Sequence, residues 1–171
     1  MPFMQRLTRG VEAGLFAGGA VAFVFFVSDS ISLTPLATPA ALANALVADS
    51  TTVIAPRVTS AVGAVILGAG LLVYTVLHFA AFALLGIGAA FLLPTRPWTR
   101  SLGAGALYGL LACTAVFYGT RLVVGSPFAI EGLDLTTLLL TNVTAGVVMA
   151  LVLYIHDAGD RAEKAPQTAA P

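Results

Sequence analysis

Four stretches of the chain carry few or no charged side chains: Val11–Ser28, Val62–Leu93, Leu102–Val124 and Leu135–Ile155, of 18, 32, 23 and 21 residues. Crossing a hydrocarbon layer of roughly 30 Å takes about 20 helical residues at about 1.5 Å each, because lipid offers the backbone no water to bond. All four runs meet that length, the first by a small margin. Strands are excluded by pattern: runs such as AVGAVILGAGLLVY are apolar on every side, and the alternation a membrane barrel needs is absent. The sequence therefore predicts an all-α integral membrane protein, a four-helix antiparallel bundle within residues 1–156, followed by a polar tail over 157–171.

Composition agrees. The 171 residues are 58% apolar and 9% charged, against roughly 25% charged in soluble domains. Eight Lys/Arg balance eight Asp/Glu, which removes the basic footprint that nucleic-acid binding requires. Cys113 stands alone and no Cys/His pair has zinc spacing, so neither an internal disulfide nor a structural metal is expected.

The second run would make a helix of about 48 Å, longer than the hydrocarbon is thick. Gly63, Gly68 and Gly70 thin its beginning, which places its membrane core near Leu71–Leu93, ended by Pro94. The other spans are expected at about 11–28, 102–124 and 135–155. Arg6, Arg9, Arg96, Arg100, Arg161 and Lys164 fall on one side of this topology, and only Arg57 and Arg121 on the other. Positively charged short loops resist translocation, so both termini are expected in the cytoplasm. A signal peptide over residues 1–28 is disfavoured, since no small-x-small site follows Val27.

Asp29–Ala61 forms a long outer connection. Thr38 can cap, and Pro39 can occupy the first turn of, a short helix running to about Val47. Its expected place is the membrane interface. The tail from Asp157 is polar and Ala/Pro-rich, without an apolar face, and is expected to be disordered. No long-period repeat is found; the first and second helix pairs share only a connection on the outer side.

Small residues recur every four positions: Gly10, Gly14 and Gly18 on the first helix, Gly105 and Gly109 on the third, Asn142, Gly146 and Ala150 on the fourth. Such seams let backbones approach closely in lipid, either inside the bundle or against another membrane protein. His78, in YTVLHFAAF, is the most informative polar residue, because an ionisable group in a span is costly and faces the bundle interior or a cavity. Two roles fit it: a neutral imidazole bonded to a neighbouring helix, with Asn142 the first choice of partner, or a ligand to a pigment, haem or quinone. His156 lies too far along the bundle to complete a bis-histidine haem. Asp29, Arg121, Glu131 and Asp134 form a charge cluster on the outer face, with Arg121 snorkelling towards a carboxylate or an anionic headgroup. Glu12 is expected in a first helical turn.

No nucleophile–base pair, HExxH, Walker loop or intramembrane carboxylate pair is found, so an enzyme is disfavoured. In the segments VSDSISLTPLATPAAL (Val27–Leu42) and YTVLHFAAFALLG (Tyr74–Gly86) the chain resembles small, uncharacterised four-span bacterial integral membrane proteins. The resemblance implies bacterial origin and a shared four-helix plan, and no activity; the expected location is the bacterial inner membrane. The expected function is a small accessory subunit packing, within the lipid bilayer, against other integral membrane subunits of a larger complex, respiratory or photosynthetic. A pigment-, haem- or quinone-binding protein is the alternative and an oligomeric small transporter the third.

Overall fold

The computed structural model describes residues 2–47, 61–124 and 135–164. The elements are α1 (Phe3–Ile31), α2 (Ala37–Val47), α3 (Ala61–Leu92), α4 (Trp98–Tyr108), a π-helical turn over Gly109–Cys113, α5 (Thr114–Val124) and α6 (Leu135–Lys164). Among the described residues four helical rods are long and apolar enough to cross a membrane: α1, α3, α4 continued through α5, and α6.

Their ends follow local chemistry. Pro2 precedes α1, where its missing N–H costs nothing because the first helical donors have no partner anyway. Pro94 stops α3, since the residue before a proline is pushed out of helical geometry. The first rod is longer than the apolar run that marks it, so Glu12 sits well inside α1 and not in a first turn. α6 reaches Lys164, into the segment expected to be a disordered tail. Ion pairs hold that extension: Asp157 meets Arg96 at 3.3 Å and Arg161 one turn on, and Asp160 meets Arg9.

α1 packs along α3 on one side and α6 on the other, and α6 also packs along α4. Because these contacts form over Ala and Gly, small side chains make up much of the core: Ala13, Ala17, Ala89, Ala145 and Ala150 are all fully buried, with Met149 the largest side chain among them. α6 is the central rod and α3 the peripheral one. Of their most apolar eighteen residues, 44% are buried in α6 and 6% in α3.

Candidate functional site

Both glycine seams close inside the bundle. A Cβ built on Gly10 would lie 2.6 Å from the Ile87 Cα of α3, and one on Gly105 would lie 2.6 Å from the Gly146 carbonyl oxygen of α6. Contacts that close exclude any side chain, so glycine is required there by space and not by backbone conformation. Of the two roles open to Gly10, Gly14, Gly105, Gly109 and Gly146, each takes the internal one.

His78 lies just beyond the first seam, on the side away from the chain's N-terminal end. Its Nε2 stands 3.1 Å from the Gly18 carbonyl oxygen of α1. A carbonyl only accepts, so Nε2 carries the proton, and Nδ1 is left to accept from the Tyr74 hydroxyl at 3.4 Å. The ring also rests against Phe79 and Phe82, with centroids 5.4 and 4.8 Å away. Asn142 does not meet His78. Its Nδ2 donates to Thr114 Oγ1 at 2.9 Å, just past the π-helical turn. Each hairpin thus has a polar cross-link beyond its seam among the described residues.

Above His78 lies an apolar cavity of about 460 Å³. α1 contributes Ala22, Phe23, Phe25 and Phe26; α3 contributes Leu71, Tyr74, Thr75, His78 and Phe79; Leu36 before α2 and Thr38 and Pro39 at its start complete the lining. Asp29 anchors the start of α2, which packs along α3. Its carboxylate, buried at the end of α1, accepts from the Thr38 amide at 2.8 Å and from the Thr38 hydroxyl at 2.7 Å, satisfying an open donor of the α2 N-terminus. Thr38 is therefore bonded by a cap and does not itself serve as one. Leu33 and Leu36, with φ of 57° and 68°, turn the chain between the two helices. Left-handed backbone costs a non-glycine residue about 1–2 kcal/mol, and here the Asp29 bonds and the 2.9 Å bond from Thr34 N to Asp29 O hold it.

At the end that carries the N-terminus, Arg9 donates to both oxygens of Asp160, at 2.9 and 2.6 Å, and Glu12 lies 2.9 Å from His156 Nε2. Sequence patterns could not supply this α1–α6 pairing, since it depends on which helices are neighbours. Of the outer-face charge cluster, Asp29 is taken up by Thr38. The Arg121 side chain, Glu131 and Asp134 lie outside the described residues. Among the described residues no group of three or more His, Cys, Asp or Glu side chains could hold a metal ion. Comparisons with known family models, curated proteins and solved structures find no match.

Proposed function

We propose that this protein is a small accessory subunit of a larger complex in the bacterial cytoplasmic membrane, with both termini inside, α2 lying in the opposite interface and other integral subunits as its partners. The observation that carries the reading is how the bundle spends its polar groups. His78, Tyr108, Thr114 and Asn142 each bond across a helix interface, which is the chemistry of adhesion. α3 meanwhile presents Leu72, Val76, Leu77 and Leu84 outward as exposed apolar side chains. The orientation rests on Arg6, Arg9, Arg96, Arg100, Arg161 and Lys164, whose helix ends gather at one end of the bundle. Photo-reactive side chains at Val76 and Leu84, compared with one at buried Phe82, test it in native membranes. One discrete heterologous adduct from the outer positions is expected; adducts with lipid alone contradict it.

The cavity favours a second reading, a membrane protein that holds an amphiphile beside His78. Both ring nitrogens of His78 are engaged, so iron ligation by haem would cost the Tyr74 bond at Nδ1 or the Gly18 bond at Nε2. A flat quinone among Phe23, Phe26 and Phe79 needs no ligation. Organic extraction and an absorption spectrum of purified protein, with and without His78→Ala, test this reading: co-extracted quinone supports it, and a colourless, quinone-free preparation removes it.

A further inference from the structure

We infer that the chain is one helical hairpin present twice, and that Tyr108, standing where the first copy has Ala13, is the residue that breaks the equivalence of the two within the core. The segments LTRGVEAGLFAGGAV (Leu7–Val21) and LGAGALYGLLACTAV (Leu102–Val116) share the pattern L-x2-G-x3-G-L-x-A-x2-A-V without a gap. GIGAAFLL (Gly86–Leu93) and GVVMALVL (Gly146–Leu153) share G-x3-A-x2-L. The shared residues also do the same work. A methyl built on Gly86 would meet the Gly10 carbonyl oxygen and the amide nitrogen and Cα of Gly14; one built on Gly146 would meet the same three atoms of Gly105 and Gly109. Gly14 in turn faces the Phe82 carbonyl, four residues before Gly86, and Gly109 faces the Asn142 carbonyl, four residues before Gly146.

Sequence similarity alone could arise from the glycine habit of membrane helices. The matched set of backbone atoms is the independent observation. The first helices correspond at a spacing of 95 residues (10 to 105) and the second at 60 (86 to 146), because α2 and its flanking segments sit only in the first copy. An insertion of that kind erases any fixed period.

Between the hairpins the equivalence fails, at the Arg9–Asp160 and Glu12–His156 pairs that only α1 and α6 share and, within the core, at Tyr108. α1 lies close along α6, whereas α4 reaches α3 through the long Tyr108 side chain, whose hydroxyl donates to the Leu85 carbonyl at 2.7 Å and fills the space over Gly88. The matching positions in the other contact are Ala13 on α1 and Ala145 and Val148 on α6, which share one core cluster. A ring in place of a methyl holds α3 off α4.

The test uses the full chain in membranes, in a Cys113→Ser background. One reporter pair, Ala17→Cys with Ala145→Cys, spans α1 and α6; its equivalent, Ala112→Cys with Leu85→Cys, spans α3 and the π-helical turn that continues α4. Disulfide formation is expected to be fast in the first pair and slow in the second. Tyr108→Ala should speed the second by about tenfold or more, as the effective concentration of the thiols rises, and leave the first unchanged. The reciprocal exchange, Ala13→Tyr with Tyr108→Ala, should invert the two rates. An α4–α3 rate unmoved by Tyr108→Ala, a parent in which the α1–α6 pair does not close, or products formed only between chains would each overturn the inference.

Discussion

Gly146 stands against Gly109 with no room for a methyl group between the helices: a Cβ built on Gly146 would lie 2.7 Å from the Gly109 Cα. Gly86 stands against Gly14 in the same way, its added Cβ 2.6 Å from the Gly14 Cα. Gly146→Ala and Gly86→Ala should therefore destabilise by about 1–3 kcal/mol, the usual cost of overpacking. Gly103 and Gly19 have nothing within 4 Å, so alanine there should be neutral or stabilise by up to about 1 kcal/mol through helix propensity. Thermal unfolding in detergent checks both; equal effects at the two classes of glycine would contradict the packing described.

The polar cross-links should be worth little each. Asn142→Leu, Thr114→Val and the double variant form a cycle whose coupling is expected near 0.6 and below about 1.7 kcal/mol, the range found for interhelical bonds in membranes. Coupling well above that would mean that Asn142 has a further duty.

Asp29 holds α2 through two bonds to Thr38, one to the amide and one to the hydroxyl. Asp29→Ala removes both and should free the start of α2, raising amide exchange over residues 37–43, with a loss of about 1–2 kcal/mol as for a lost helix cap. Thr38→Val keeps the amide bond and should cost less. Unchanged exchange in Asp29→Ala would show that α2 is held by packing alone.

The Arg9–Asp160 pair is bidentate and its side chains are only 12% and 23% exposed, whereas Glu12 and His156 are 44% and 33% exposed. Asp160→Asn should cost about 1.5–3 kcal/mol, as for hydrogen bonds to a charged group. Glu12→Gln should cost less than about 1 kcal/mol and its effect should fade with added salt. Melting curves at low and high salt separate the two.

Ser101 is 1% exposed, and its hydroxyl has no hydrogen-bond partner among the described residues. Ser101→Ala removes a buried donor that gains nothing, so it should be neutral or stabilise by about 1 kcal/mol. A clear loss of stability would reveal a bound water or partner group at that hydroxyl.

Spacing within a helix was readable from the chain; register between helices was not. The recurrence of Gly105, Gly109, Asn142 and Gly146 marks two faces that do meet, because a four-residue period puts them on one side of each rod. His78 shows the limit. Its cost in lipid announces that it needs a partner, yet the partner is the Gly18 carbonyl, a group present at every residue and so invisible in sequence. Thr38 and Pro39 announced α2, but the Asp29 carboxylate that caps it lies nine positions earlier, beyond the span of a local capping pattern. The charges of Asp157 and Asp160 read as a solvated tail until their partners Arg96 and Arg9 come alongside. The duplicated hairpin was hidden by α2, which makes one spacing 95 and the other 60.

The central claim, that this bundle exists to adhere to a larger membrane assembly, is tested most directly by gentle detergent extraction from native membranes, native electrophoresis and identification of the chains that travel with it. The account predicts migration in a band far larger than 17.4 kDa, with integral membrane subunits of other sequences in constant proportion. Migration only as a single chain or as copies of itself would contradict it.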